Sequence, residues 1–196
     1  MTQARVRFAT FEDYLAYSDT TSLEGRYELI DGALVELPPE SRLNSTIAVQ
    51  ILLALLAARV SVDLVHPGKC EVQVPVLRSG DAANRYPDLV VLRPEHLDLT
   101  QRRLTLTLDM PPPRLIVEVL SPGKTNRDRD LVHKRAQYAA IGVPEYWWID
   151  PVAQTVTVLT LVDNRYEDRG TFHGQDSVNS AEFAGLTLTV AQMFEP

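Results

Sequence analysis

The stretch Leu115–Tyr138, LIVEVLSPGKTNRDRDLVHKRAQY, decides how this chain reads. It opens on Leu115-Ile116-Val117 and resumes at Val119-Leu120, an apolar, β-branched run of the kind found in strands buried on both faces. One carboxylate, Glu118, interrupts it. A charge in such a strand is costly unless it is paired, hydrated or bound to metal. Ser121-Pro122-Gly123 ends the strand, and a helix is predicted over 127–140. On that helix Asp130, Lys134 and Tyr138 recur at i, i+4 and i+8, so they share one face. A strand carboxylate facing a helix lysine calls for a second carboxylate. Asp88, which opens the short apolar run Pro87–Leu92, is the candidate.

Working outward, Thr10 precedes Phe11-Glu12-Asp13 as an N-cap precedes a helix. Two short runs flank Asp31-Gly32, a dipeptide that tolerates the positive φ angles of a type I′ hairpin. Ser41 to Arg59 carries Ile47, Ile51, Leu52, Leu55 and Leu56 at helical spacing, and its near-continuous apolar character predicts a largely buried helix. Val72–Leu77 alternates as a strand that Pro75 places at an edge or bulge. Residues 93–113 read as an irregular excursion ending in three prolines. Gly142 ends the helix that carries Lys134, and Glu145–Asp150 forms the next strand, with Trp147 and Trp148 on opposite faces. Thr155–Leu161 and Arg165–Phe172 alternate as antiparallel strands. The order predicts one mixed α/β domain over residues 1–196, with its sheet at the centre.

The 196 residues suffice for one domain with a real core. A hydrophobic share of 45% and a charged share of 23% are ordinary for a globular protein. The lone Cys70 excludes an internal disulfide framework and fits a reducing, cytoplasmic setting as an inert, part-buried thiol. No apolar signal core opens the chain, and the most apolar stretch, Ile47 to Val60, is too short to span a membrane. The net charge of −7 argues against nonspecific nucleic-acid binding, which counterion release drives. Yet Lys124, Arg127, Arg129, Lys134 and Arg135 cluster just after Glu118; a solvated helix face is the bland account of them.

Asp88 and Glu118, brought together on neighbouring strands, would form a hard, oxygen-rich site suited to Mg²⁺ or Mn²⁺. Lys134 would then orient a water or offset charge at phosphorus. Each residue also has a structural account. Asp88 caps a strand end, Glu118 is a satisfied buried acid, Lys134 pairs with Asp130, and Glu28 pairs across its hairpin. Tyr138 reads as packing with a polar tip. The four histidines lack zinc spacing, and no glycine-rich phosphate loop is present.

Taken together, Tyr27–Gly32 (YELIDG), Pro87–Val91 (PDLVV), Val117–Pro122 (VEVLSP) and Gly142–Trp147 (GVPEYW) resemble the Uma-type family of bacterial restriction endonucleases, within the PD-(D/E)XK nuclease-like superfamily. The resemblance runs from about Phe11 to Phe194 with its motifs in order. It implies a restriction-endonuclease-like central mixed β-sheet flanked by helices, and Mg²⁺-dependent hydrolysis of DNA phosphodiesters with no organic cofactor. It implies that Asp88 and Glu118 ligate metal and that the backbone carbonyl of Val119 completes the shell. The superfamily lysine position, two residues after Glu118, holds Leu120. Lys134 is the replacement expected from the helix, with Lys124 second. Glu28 fits the acid contributed from the N-terminal part of the core, and Asn44 stands where relatives carry His. A homodimer would suit cutting both strands. The rival reading is a nucleic-acid-binding or assembly module that retains the fold without catalysis. Hydrolysis of a small phosphate ester is a third.

Overall fold

The computed structural model describes residues 6–21, 23–120 and 129–194, apart from the side chains of 129 and 130. Helix α1 (Phe11–Thr20) starts at the expected Thr10, whose hydroxyl accepts from the Asp13 N–H while the Asp13 carboxylate accepts from the Thr10 N–H. Strands β1 (Tyr27–Ile30) and β2 (Ala33–Glu36) form the hairpin around Asp31 and Gly32, at φ 47° and 76°. A side chain at Gly32 would also strike the Phe8 carbonyl oxygen, 2.7 Å from where a Cβ would sit.

Helix α2 (Arg42–Ala57) is capped by the Ser41 hydroxyl and buries Ile47, Ala48, Ile51 and Leu55. It is less buried than its composition predicts. Val49 and Leu53 are exposed, because the helix lies on the outside of the sheet and only one face meets it. Strands β3 (Val65–Pro67), β4 (Glu71–Gln73), β5 (Asn84–Arg85) and β6 (Leu89–Val91) follow. The segment read as an irregular excursion contains a short helix, α3 (His96–Leu99), and strand β7 (Thr105–Leu106). β7 lies parallel to β4 and completes a small sheet, β5-β4-β7. The predicted strand over 72–77 ends before Pro75, which has no N–H to give to a ladder.

Strand β8 (Leu115–Val119) is followed by a wide π-helical turn, Arg129–Lys134, that runs into helix α4 (Arg135–Ala140). Gly142, at φ 81°, ends it as expected. Strands β9 (Glu145–Asp150), β10 (Thr155–Val162) and β11 (Arg165–His173) and helix α5 (Val190–Phe194) complete the order. Among the described residues the main sheet has six strands in the order β11-β10-β9-β8-β6-β3. β8 and β9 are parallel, and the other neighbours are antiparallel. β8 is therefore central, with Leu115, Ile116 and Val117 fully buried. Each such side chain contributes about 1.5–3 kcal/mol relative to exposure, which is the force that holds Glu118 in place.

Glu145, fully buried on β9, shows how this sheet treats a carboxylate that is purely structural. It accepts from Trp147 Nε1, the Ser180 hydroxyl and the backbone N–H groups of Ala181 and Glu182, at 2.7, 2.7, 2.7 and 3.2 Å. Cys70 is fully buried, and burial followed by the neighbouring Glu71 charge pushes its thiol far above the usual range. No helix among the described residues is long and apolar enough to cross a membrane.

Candidate active site

The antiparallel register Leu89↔Val117 delivers Asp88, which precedes β6, to the Glu118–Val119 end of β8. The Val119 N–H donates to Asp88 Oδ2 at 2.6 Å and fixes the carboxyl there. In an extended strand the N–H and C=O of one residue point to the same side, so the Val119 carbonyl also faces the Asp88 edge. Glu118 is 3% exposed and both its oxygens are held from the helix side. Lys134 Nζ donates to Oε2 at 2.6 Å and the Tyr138 hydroxyl to Oε1 at 2.7 Å. Lys134 closes the π-helical turn and Tyr138 follows one helical turn later, so the shared face expected of these two is realised. Such turns recur where a helix must re-aim side chains. The side chain of Asp130, the alternative partner of Lys134, and Lys124, the second lysine candidate, lie outside the described residues.

The electrostatics follow from burial. Desolvation, then the Glu118 charge, raise the Asp88 carboxyl to about 8, with Glu40 adding to the rise and the Val119 N–H and Lys134 opposing it. Asp88 is therefore largely protonated at neutral pH when no cation is bound. Burial and then Glu118 also raise Tyr138 well above the usual phenol range, so it stays a neutral donor.

Glu28 does not meet Asp88 directly. It is buried against Arg85, whose Nη1 donates to Glu28 Oε1 at 3.1 Å. Arg85 Nε and Nη2 donate to Gln137 Oε1 at 3.0 and 2.8 Å, and Gln137 Nε2 donates to the carbonyls of Pro75 and Ala82. Burial opposes the Arg85 charge, but Glu28 and, more distantly, Glu118 outweigh it and hold the guanidinium above its usual value. Glu28 thus backs the site through Arg85, one side chain removed.

The carboxylate that does face Asp88 is Glu40, which sequence reasoning passed over. Its Oε1 accepts from Asn44 Nδ2 at 2.8 Å and from the Ser41 N–H at 3.3 Å, and its Oε2 lies 3.5 Å from Arg26 Nη2. The available signal was its place just before the N-cap of α2, where a helix start favours negative charge. Asp88, Glu40, Asn44, Arg26 and Lys69 line one open cleft of about 610 Å³.

Among the described residues no three His, Cys, Asp or Glu side chains converge as a metal cage. Two carboxylates and one backbone carbonyl nevertheless match what Mg²⁺ takes from a protein, since it keeps several waters and needs only one or two carboxylates. The all-oxygen donor set suits that ion or Mn²⁺.

A mixed sheet with acids at the ends of adjacent central strands, and helices on its faces, is the restriction-endonuclease-like α/β architecture. A family model for Uma2, described as "Putative restriction endonuclease", matches residues 11–191, and the chain belongs to that family. The fold is also that of a solved structure from Anabaena variabilis, described as a "putative nuclease belonging to DUF820". The two share 18% identity at a TM-score of 0.62, over 95% of this chain and 98% of that one. No match is found among curated protein sequences.

Proposed function

We propose that this protein is a Mg²⁺- or Mn²⁺-dependent endonuclease that hydrolyses DNA phosphodiester bonds, acting as one domain and as a homodimer in the cytoplasm. The observation that carries the reading is the meeting of Asp88 and Glu118 at the end of β8, with Lys134 on Glu118. Asp88, Glu118 and the Val119 carbonyl would hold the ion. When bound, the ion supplies Lewis acidity toward a phosphoryl oxygen and acidifies water. Asp88 must first release the proton that burial and Glu118 favour, because a ligating carboxylate is ionised. Lys134 Nζ steadies Glu118 Oε2 and brings positive charge to where a phosphate gains negative charge. Tyr138 holds Oε1, and Glu28 keeps Arg85 and hence Gln137 of α4 in place. In the hydrolysis, water oxygen bonds to phosphorus and gives up a proton to solvent, the bond to the leaving nucleotide oxygen breaks, and that oxygen takes up a proton.

The rival reading, a binding module without catalysis, is favoured by one feature. Leu120, at the superfamily lysine position, is 5% exposed and part of the apolar core. Calorimetry of Mn²⁺ binding separates the two. Wild type is expected to bind, and the Asp88→Ala/Glu118→Ala double variant is not; DNA cleavage should be lost in parallel. Folded wild type that binds no Mn²⁺ at millimolar concentration, with or without DNA, would leave the module as the better account.

A further inference from the structure

The Asp88 cleft holds a second feature that the metal-centred chemistry does not use. The turn that follows β3 is bonded to the backbone of Asp88: the Gly68 N–H donates to the Asp88 carbonyl at 2.9 Å, and Pro67 pairs with Leu89. Gly68 takes φ 57°, the left-handed geometry that lets the chain reverse there. The next residue is Lys69, exposed on the cleft wall and without an ion pair or hydrogen bond to its side chain among the described residues. Arg26 leans on the same turn. Its Nη1 donates to the Gly68 carbonyl at 3.4 Å and its Nη2 to the Pro38 carbonyl at 3.3 Å, besides the 3.5 Å approach to Glu40. These long contacts place the guanidinium without saturating its five donors. Glu36 and Glu40 also line the cleft, so its charge is mixed and it would not gather free anions in general. Glu40 is matched by Arg26, which leaves Lys69, among the described residues that line the cleft, as the cation available to an incoming anionic group at a fixed offset from Asp88.

We propose that Lys69, braced by Arg26, is a phosphate-binding subsite that holds a backbone phosphate flanking the scissile one of a nucleic-acid strand. The proposal rests on the nuclease reading and adds which wall of the cleft the strand follows. A lysine on a phosphate carries no base information, so it should act equally on all sequences.

The test measures DNA binding apart from cleavage. Fluorescence anisotropy of a labelled duplex in EDTA, over a series of salt concentrations, compares wild type with Lys69→Ala, Lys69→Glu and Arg169→Ala. Arg169 is exposed on β11, at the opposite edge of the main sheet from β3. Lys69→Ala should weaken binding about five- to tenfold for every duplex sequence, and the slope of log K against log salt should fall by about one. Lys69→Glu should weaken it further, and Arg169→Ala should match wild type. Lys69 is a surface side chain, so thermal unfolding should be unchanged and serves as the folding control. A neutral methylphosphonate placed beside the cut position should weaken wild type but not Lys69→Ala. If Lys69→Ala binds with wild-type affinity and salt slope while wild type binds and cleaves, the subsite is refuted and the nuclease reading stands. If wild type neither binds nor cleaves DNA with Mn²⁺ present, the nuclease reading falls and takes the subsite with it.

Discussion

Asp88→Asn in the metal-free protein should raise stability, and the gain should grow with pH. In the folded chain the Asp88 carboxyl sits at about 8. In the unfolded chain it returns to about 3.9. The folded state therefore keeps a proton that the unfolded state releases, and wild-type stability falls as pH rises between those two values. The contribution is most favourable below the unfolded value and levels off above about 8. Each pH unit in that window is worth at most about 1.4 kcal/mol, or about 3 kcal/mol from pH 5 to pH 7. Asparagine has no charge to desolvate, and its Oδ1 can accept the Val119 N–H that now reaches Asp88 Oδ2. Urea unfolding with EDTA at pH 5, 6, 7 and 8 measures the gap between variant and wild type, which cancels every other titrating group. A gap that stays flat across this range, or narrows, would show that Asp88 is ionised in the folded protein and that the crowding with Glu118 is not felt.

Three further outcomes follow from the same geometry. Mn²⁺ affinity measured by calorimetry should climb with pH up to about 8 and then level off, because the ion competes with the proton on Asp88; pH-independent affinity from pH 6 to 8 would argue against Asp88 as a ligand. Lys134→Met should cost about 3–5 kcal/mol in urea unfolding, since it leaves Glu118 buried without its ammonium partner. Adding Glu118→Gln should recover much of that loss, and additive losses would deny the coupling. Glu145→Ala orphans four donors at about 1–3 kcal/mol apiece before relaxation and water entry, so it should unfold at clearly lower urea while leaving Mn²⁺ affinity unchanged in the folded fraction.

How much of this was legible in the sequence depended on whether the signal was local. Thr10, Asp31-Gly32 and Gly142 set caps and turns through contacts within a few residues, and each stands where expected. Leu115–Val119 declared itself a buried strand by composition alone. What was not legible needed partners far along the chain. β7 is two residues long and exists as a strand only because β4 pairs with it. The outer face of α2 carries Val49 and Leu53, so apolarity gave no clue to which face meets the sheet. Glu28 and Glu40 are both acids near the start of the core. Only the arrival of Arg85 beside the first, and of Asp88 beside the second, separates their roles. Glu145 and Glu118 are likewise both buried acids in largely apolar strands. Glu145 meets the side chains of Trp147 and Ser180 and two N–H groups of a nearby segment, whereas Glu118 meets a lysine and a tyrosine from a helix and lies beside a second acid.

That difference bears on how the candidate site is assembled. Leu120 is two residues past Glu118 and so on the same face of the strand. A lysine there would be positioned by the sheet itself, whatever the helices did. Leu120 is instead packed in the core, and the cation comes from the end of the π-helical turn. Lys134 reaches Glu118 only while α4 is docked. Tyr138 and Gln137, both fully buried, dock it: one by its bond to Glu118 and its edge-on contact with Tyr146 at 5.2 Å, the other by its bonds to Arg85, Pro75 and Ala82. The residues that pack this helix are thus the residues that place its lysine. A variant that loosens α4 should therefore weaken the Lys134–Glu118 pair before it unfolds the sheet, because the sheet draws its stability from β8 and its neighbours and the pair does not.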